Sequence, residues 1–221
     1  MASASPHPAE PHRRQPVPLF RRPTRQDALE LARAAFLAGE RVDMQRLASQ
    51  LGVSRATIFR WVGSREQLLE QVLDGLTSTF VATARAQADG DGEDRVLNFV
   101  RQVMTATAHF EPARQFVARE PQLALRLLLA EEGIVHQRLA EGLQHVLTDA
   151  DHAANLNQLK SFVDVLVQVG TALEWATLAI GDEPQIERTV EIGRALLQAA
   201  TRIPARGAPS SKSKKAKRSN L

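Results

Sequence analysis

The sequence predicts an all-α protein, with an N-terminal three-helix helix-turn-helix domain followed by a larger helical domain. Three observations support this fold class. Apolar residues recur every three or four positions, as on the buried face of a helix, and no stretch shows the period of two typical of a strand. Residues that favour helix N-caps precede the apolar runs. Glycine and proline separate the runs, where they end helices.

The four helices predicted for the first domain each begin at a capping residue. They cover residues 24–39, 43–51, 54–62 and 64–88, with Thr24, Asp43, Ser54 and Ser64 as the N-caps. Gly52 ends the second helix, so two short helices meet at a tight turn. This order of elements is that of a helix-turn-helix, whose second helix enters the major groove of DNA.

The second domain is predicted to contain five helices, near residues 93–110, 112–131, 133–148, 153–181 and 185–202. The helix over 153–181 is apolar on more than half of its surface, so it needs two packing partners. The core of its own chain is one partner, and a second copy of the chain is the natural other. The residues expected at this dimer interface are Leu159, Val163, Leu166, Gly170, Val190, Gly193 and Leu197.

Composition divides the chain into four regions. Residues 1–23 form a basic, proline-rich arm, and residues 204–221 form a lysine-rich tail of low complexity; both are expected to be disordered. Residues 24–88 are expected to bind DNA, and an Asp-Gly-Asp-Gly break separates them from the domain over 89–203. We expect that second domain to bind an effector and to dimerise.

Charge and composition exclude several kinds of site. Residues 89–203 carry a formal charge of −7, whereas the first 25 residues carry +4 and residues 204–221 carry +6. Polyanion binding is therefore not expected on the bulk of the second domain. The absence of cysteine excludes disulfides and thiolate sites. No secretion signal or membrane-spanning run is apparent, so we expect a cytoplasmic protein.

The start of the third helix has the chemistry of a DNA reader. A helix N-terminus favours phosphate because its backbone N–H groups are unpaired. Arg55 can bind guanine with two hydrogen bonds, and Ala56 and Thr57 can contact a thymine methyl group. An arginine face that meets only water is the alternative explanation of this segment. The expected DNA-binding residues are Arg46, Ser54, Arg55, Ala56, Thr57, Phe59, Arg60, Trp61 and Arg65.

Residues 27–73 resemble the tetracycline-repressor (TetR) family of bacterial transcription regulators, most clearly in "GVSRATIFRWVGSREQLL". The resemblance implies that Ser54 to Thr57 and Arg60 face the groove and that Trp61 and Arg65 contact phosphate. The chain departs from the family at two positions. Phe59 stands where tyrosine is usual, which removes one hydroxyl contact to phosphate, and Val62 stands where phenylalanine is usual.

The family resemblance also implies a homodimer whose second domain binds a small effector. "FVAREPQLALRLLLAEEGIVHQRL" and "VQVGTALEWATLAIGDEPQIERTVEIGRALL" resemble a TetR subgroup that includes regulators of quorum-signal lactone degradation. That subgroup is expected to have charged residues at Gln168 and Thr171, so the effector here need not be the same. A lactone or acyl-type compound is the candidate. The expected lining residues are Met104, His109, Phe110, Phe116, Gln168, Thr171 and Trp175.

Other functions have weaker support. No phosphate-binding loop or nucleophile elbow is present, and the adjacent Glu131 and Glu132 point apart on a helix, so no enzyme is predicted. Glu132 and His136 share a helix face without a complete metal-ligand set, so neither metal nor cofactor is predicted. The aromatic lining candidates suit an ordinary core as well. An architectural DNA-binding protein without effector stays open, although a second domain of 115 residues favours a ligand-responsive repressor acting on a palindromic operator.

Overall fold

The computed structural model describes residues 22–149, 156–176, 180 and 182–202. Helices and no strands occur in these ranges, which confirms the all-α prediction. A π-helical segment, Ala172–Ala176, follows directly on α9. The α-helices are α1 (Arg25–Leu37), α2 (Met44–Leu51), α3 (Arg55–Val62), α4 (Arg65–Gln87), α5 (Gly92–Ala108), α6 (Glu111–Arg119), α7 (Pro121–Leu129), α8 (Ile134–Asp149), α9 (Leu156–Thr171) and α10 (Ile186–Arg202).

The first four helices begin at the predicted caps. Thr24, Asp43, Ser54 and Ser64 each accept a hydrogen bond from a backbone N–H in the first turn of the helix that follows. These bonds satisfy donors that the helix leaves unpaired at its start. Gly52 ends α2 with a φ of 65°, a left-handed conformation that glycine adopts without steric cost. The cap residues therefore fix the angle between α2 and α3.

The helix-turn-helix packs on the first half of α4 and also on the second domain. Ala28 and Ala32 of α1, Ile58 of α3 and Leu68 of α4 are completely buried in one core. Phe116 of α6 belongs to the same core, together with buried side chains of α7. The apolar core is therefore continuous from the three N-terminal helices into α6 and α7.

A second core lies between α5, α8, α9, α10 and the end of α4. Leu97, Leu147 and Leu197 are almost fully buried within it. Helix α4 crosses α8 closely at Gly142, where a Cβ atom would lie 2.4 Å from a methyl carbon of Val81. Helix α4 thus contributes to both cores and connects them. No helix in the described ranges is long and apolar enough to span a bilayer.

One predicted helix is wrong, and the ends of another lie at or beyond the edge of the described residues. The single helix expected over residues 112–131 is divided into α6 and α7 at Glu120, which has a φ of −134° and a ψ of 58°. The break follows from Pro121, because proline lacks an N–H and restricts the residue before it to non-helical backbone. The helix expected over 153–181 is described as α9 and the π-helical segment. Almost all of the predicted arm and tail lies outside the described residues.

The residues predicted for the dimer interface are core residues of the single chain. Val163, Leu166, Gly170, Val190, Gly193 and Leu197 are all buried without a partner, and the side chain of Leu159 lies outside the described residues. A Cβ on Gly193 would meet Leu166 at 3.3 Å, and one on Gly170 would meet Thr189 at 3.4 Å. Helices α9 and α10 therefore run antiparallel, and these small residues bring them together within one chain.

The apolar surface that α9 leaves outside is different from the predicted one. Val165 is 46% exposed, and Val169 and Ala172 are half-buried on the neighbouring turns. Ile192 and Leu196 of α10 are also only half-buried. A periodic apolar pattern marks both faces of such a helix equally, so the pattern alone did not show which face its own core uses.

Candidate nucleic-acid interface and buried cavities

Helix α3 divides into a buried face and an exposed face. Ile58 and Val62, four residues apart, are buried at the core. Arg55, Ala56 and Arg60 are exposed on other sides of the helix. Because Ile58 and Val62 anchor α3 against the core, its rotation about its own axis is fixed. The exposed face presents two guanidinium groups and a methyl group, which are the groups that read base edges in the major groove.

Phe59 holds Arg55 in place at the start of this exposed face. The Arg55 guanidinium carbon lies 5.3 Å from the centroid of the Phe59 ring, a distance suited to a cation–π contact. Phe59 is itself 39% exposed, which is unusual for a large apolar side chain. The contact restricts the rotamers of Arg55 before any ligand binds, so less entropy is lost when Arg55 is immobilised.

The first turn of α3 is fixed by its own hydroxyl groups. Ser54 Oγ accepts a hydrogen bond from the Thr57 N–H at 3.1 Å, and the two hydroxyl oxygens are 2.9 Å apart. At the other end, the carbonyl of Trp61 accepts a hydrogen bond at 2.9 Å from Nε of Arg25. The Trp61 ring is half-buried and packs against the core. The predicted groove-facing residues therefore lie together on one preorganised surface.

Two of the predicted DNA contacts are arginines that are already paired. Arg46 Nη1 lies 2.6 Å from a carboxylate oxygen of Glu40, and both side chains are well exposed. Arg65 donates to both carboxylate oxygens of Glu120, and its Nε donates to the Val42 carbonyl at 2.6 Å. Its role as a phosphate clamp stays a prediction, and a phosphate would have to compete with Glu120 for its guanidinium.

Arg65 belongs to one of four arginine–carboxylate pairs that join α4 to the second domain among the described residues; the pair of Arg85 with Asp149, at 3.7 Å, is the most distant along α4. Arg126 of α7 donates to Glu66 at 2.8 and 3.0 Å, and this hydrogen bonding lowers the pKa of Glu66. Arg138 of α8 donates to Asp74 at 2.6 Å. No sequence pattern indicated these pairs, since their members are 55 to 64 positions apart.

Two small, partly open cavities border α5 and the π-helical segment that follows α9. The first, between α5, α9 and α10, has a volume of about 50 Å³ and is lined by Phe99, Val100, Val103, Met104, Leu139, Leu166, Val167, Gly170, Thr171, Glu174 and Thr189. The second cavity lies against α4 and has a volume of about 40 Å³. It is lined by Leu73, Leu76, Thr77, Phe80, Val103, Thr107, Phe110, Ala113, Leu128, Val135, Leu139, Glu174 and Trp175. Val103, Leu139 and Glu174 line both.

Four of the predicted lining residues lie at these cavities. Met104 and Thr171 line the first cavity, while Phe110 and Trp175 line the second. The Thr171 hydroxyl donates to the Val167 carbonyl of its own helix at 2.8 Å. Each cavity is mainly apolar with a few polar groups, which is the usual composition of a small-molecule site.

The other three predicted lining residues lie elsewhere. His109 is exposed, and its Nδ1 lies 2.8 Å from the Thr105 carbonyl. Phe116 is buried in the other core, with its ring centroid 5.5 Å from that of Phe36. Gln168 is exposed on the outer side of α9. None of the three lines either cavity: His109 is the exposed residue that follows α5, Phe116 packs in the other core, and Gln168 lies on the exposed side of α9.

Glu174 is the lining residue that the sequence prediction missed. It is 4% exposed and lies in the π-helical segment, with the Thr107 hydroxyl as a hydrogen-bond partner. Burial disfavours the carboxylate and raises the pKa of Glu174 to about 8. Its spacing of three from Thr171 was the available signal, since residues three apart share a helix face. However, a charged residue in an otherwise apolar helix usually lies at the protein surface, so its burial was not predicted.

Comparisons with known proteins agree with this geometry. Residues 91–198 match the family model described as "Tetracyclin repressor-like, C-terminal domain". The structure is similar to that of the TetR-family transcriptional repressor QsdR of R. erythropolis, with 29% sequence identity and a TM-score of 0.71; the match covers 79% of this chain and 94% of QsdR. No curated protein matches the sequence.

The fold is also similar to that of AlkX from Dietzia sp. strain DQ12-45-1b, a TetR-family repressor implicated in biodegradation of n-alkanes. The identity is 17% and the TM-score 0.57, over 81% of this chain and 96% of AlkX. At that identity the likeness concerns the fold alone. The helix-turn-helix, the family model over residues 91–198 and the likeness to QsdR together make the chain similar to the TetR-family DNA-binding transcriptional regulators over most of its length.

Proposed function

We propose that this regulator binds a palindromic operator as a homodimer, represses transcription there, and is released by a small, largely apolar effector. In this proposal residues 24–88 read the DNA, and residues 89–203 dimerise and bind the effector. The observation that carries the DNA-binding part is the exposed face of α3. Arg55, Ala56 and Arg60 point outward from a helix that Ile58 and Val62 anchor to the core.

Specific recognition is supported by the order of groups along α3. The Ser54 end of the helix offers unpaired backbone N–H groups to phosphate, and the first turn then offers Arg55 and Thr57 to base edges. Arg60 lies one turn further along the same helix. Phosphate contacts fix the register of a protein on DNA, whereas side chains in the groove select the sequence. Helix α3 offers groups for both phosphate contacts and base contacts within eight residues.

Dimerisation through α9 and α10 is supported by their outward apolar side chains. Val165 is 46% exposed, and Val169, Ile192 and Leu196 are half-buried. A two-fold dimer presents two copies of α3, and such dimers bind half-sites separated by one helical turn of DNA, about 34 Å, or multiples of it. The operator is therefore proposed to be palindromic.

Release by an effector is supported by the position of α4. Leu73, Leu76 and Phe80 of this helix line the second cavity, and its first residue, Arg65, follows α3 after two residues. The two cavities, of about 50 and 40 Å³, are far smaller than the roughly 300 Å³ of a typical ligand site. An effector must therefore widen them, and a displacement of α4 would reach α3 directly. The ligand then favours a state with the wrong spacing between recognition helices.

Repression is proposed because the similar protein QsdR is a transcriptional repressor. A lactone or acyl-type compound is proposed as the effector, since the second domain resembles the TetR subgroup concerned with lactone degradation. Both points depend on similarity more than on the geometry of the cavities. The geometry supports an effector that is mainly apolar.

Selection of bound sequences from a random DNA library tests the operator proposal. The purified protein is expected to enrich a palindrome whose half-site centres are separated by one helical turn, or a multiple of it. An Arg55→Ala, Arg60→Ala double variant should enrich no sequence. Enrichment of AT-rich DNA without a repeated half-site would instead favour the architectural function, because minor-groove binders read little more than AT content and width.

A further inference from the structure

Glu174 stands between the two cavities of the second domain. Its side chain lines both of them, and it is the one ionisable residue among the described residues that line either. The remaining walls are aliphatic and aromatic side chains, a methionine, a glycine and threonines. A molecule in either cavity therefore lies within reach of this one ionisable side chain.

Three of the four threonines among the described lining residues donate their hydroxyl protons to backbone carbonyls four residues back. Thr107 donates to the Val103 carbonyl at 2.9 Å and Thr171 to the Val167 carbonyl at 2.8 Å. Thr189 likewise donates to a carbonyl of its own chain, four residues back, at 3.1 Å. A hydroxyl group that donates its one proton in this way can still accept a hydrogen bond from a molecule in the cavity, but it cannot donate one.

The contact between Thr107 and Glu174 is satisfied best when the carboxyl is protonated. The single hydroxyl hydrogen of Thr107 has three acceptors within reach: the carbonyls of Val103 and Met104, and the Glu174 carboxyl. With Glu174 protonated, the hydroxyl donates to Val103 while the carboxyl O–H donates to the hydroxyl oxygen. Burial raises the pKa of Glu174 to about 8, which agrees with this neutral form at neutral pH.

We propose that the effector is a neutral, largely apolar molecule with a carbonyl-type acceptor, which takes over the O–H of Glu174 from Thr107 and joins the two cavities into one site. The exchange replaces one hydrogen bond by another and leaves no buried polar group unpaired. Thr107 keeps its bond to Val103 throughout. This inference rests on the proposed function in one respect, namely that the effector binds in these cavities.

The same walls select against charged molecules. No lysine, arginine or histidine is among the described residues that line either cavity, so a carboxylate would be desolvated beside an acidic group and without a counter-ion. An ammonium group would require Glu174 to ionise and would bury an ion pair, whose desolvation penalty can exceed the attraction. Neutral acyl compounds are therefore favoured over the free acids and amines of equal length.

Binding of three probes of similar size tests this inference: methyl hexanoate, hexanoate and hexylamine. The chain has two tryptophans, so a Trp61→Phe variant leaves Trp175, in the cavity wall, as the one tryptophan reporter. Each probe is titrated at pH 7 into this variant, and into the same variant carrying Glu174→Gln or Glu174→Leu. Thermal unfolding checks that each protein is folded, and calorimetry repeats the titrations with the Trp61 protein.

Methyl hexanoate is expected to bind saturably and at least about tenfold more tightly than hexanoate or hexylamine. Glu174→Gln should keep this affinity within about threefold, because an amide N–H can replace the carboxyl O–H. Glu174→Leu should weaken it about tenfold or more, since a polar group of the ligand then lacks its partner. Absence of saturable ester binding, equal binding of hexanoate, or tight hexylamine binding that Glu174→Gln abolishes would each overturn the inference.

Operator binding separates this inference from the proposed function. If the ester binds with the expected ranking while operator DNA stays bound, the inference stands and the proposed release by an effector fails. If the protein binds its operator but no neutral acyl probe enters the cavities, the inference fails and the DNA-binding proposal stands.

Discussion

Arg65 and Glu120 form a two-pronged ion pair between the first turn of α4 and the break that separates α6 from α7. Arg65 Nη1 and Nη2 lie 2.8 and 2.6 Å from the two carboxylate oxygens, and both side chains are only 21% exposed. The pair links the residue just beyond the recognition helix to a segment of the second domain. It therefore helps to hold the DNA-reading helices in one orientation relative to the cavities.

The first prediction is that this pair stabilises the fold measurably. Glu120→Gln or Arg65→Met is expected to lower the free energy of unfolding by roughly 1–3 kcal/mol, since each removes the two-pronged pair from a half-buried charge. After Arg65→Met, Glu120 keeps only the longer ion pair with the exposed Arg41, at 3.9 Å. Urea unfolding of both single variants and the double variant gives the coupling energy. The exposed Arg46–Glu40 pair is the matched control, with an expected coupling below about 1 kcal/mol. Equal coupling in both pairs would contradict the role given to Arg65.

A second prediction concerns the recognition helix. Arg55→Ala and Arg60→Ala should each weaken operator binding by about 1–3 kcal/mol without changing thermal stability, because both side chains are exposed in the free protein. Arg119→Ala, at an exposed arginine of α6, is the control and should leave the affinity unchanged. Fluorescence anisotropy at fixed salt measures these affinities. An unaltered affinity in the Arg55→Ala, Arg60→Ala double variant would remove α3 from the DNA interface.

A third prediction locates the dimer interface. Val165→Glu is expected to shift the protein from dimer to monomer at micromolar concentration, because it places a charge in the proposed apolar contact. Leu37→Glu alters a side chain that is 42% exposed on α1, distant from α9 in the chain, and should leave the dimer intact. Sedimentation velocity distinguishes the two. A Val165→Glu protein that remains dimeric would show that α9 does not form the interface.

A fourth prediction follows from the protonation of Glu174. Its pKa is about 8 in the folded protein and near its ordinary value of 4.5 when unfolded, so between these values the folded chain holds a proton that the unfolded chain lacks. This stabilising contribution is fully present below pH 4.5 and is lost as pH rises to 8. The slope contributed is at most about 1.4 kcal/mol per pH unit.

Denaturant unfolding of the wild-type protein and Glu174→Gln between pH 5 and pH 8 measures this contribution. Histidines and other groups titrate in both proteins, so the difference between the two unfolding free energies isolates Glu174. That difference should shift steadily in favour of the Gln variant as pH rises. A difference independent of pH would mean that Glu174 is ionised in the folded protein.

Local features of the fold were predictable from the sequence, and long-range ones were not. Thr24, Asp43, Ser54 and Ser64 cap their helices as predicted, because capping depends on a few neighbouring residues. The break at Pro121 was also a local signal, although the prediction treated it only as punctuation within a helix. Helix order and type were therefore accessible without tertiary information.

Features that depend on packing between distant segments escaped the prediction. The pairing of Arg65 with Glu120 joins positions 55 apart, and nothing near Arg65 indicates it. Both faces of α9 are apolar, so the pattern did not reveal that Leu166 is internal and Val165 external. Glu174 is buried against the distant Thr107 of α5, and its spacing of three from Thr171 did not distinguish a buried carboxyl group from one at the surface.

Effector-reversible binding to a specific DNA site is best tested by fluorescence anisotropy of the purified protein on DNA flanking its own gene. The titration uses physiological salt and excess competitor DNA, and γ-lactones, acyl-homoserine lactones and fatty acyl esters are then added to the bound complex. We predict specific binding that at least one of these neutral compounds reverses. Binding that competitor DNA abolishes at physiological salt, without preference for any site in the flanking DNA, would contradict the proposed function.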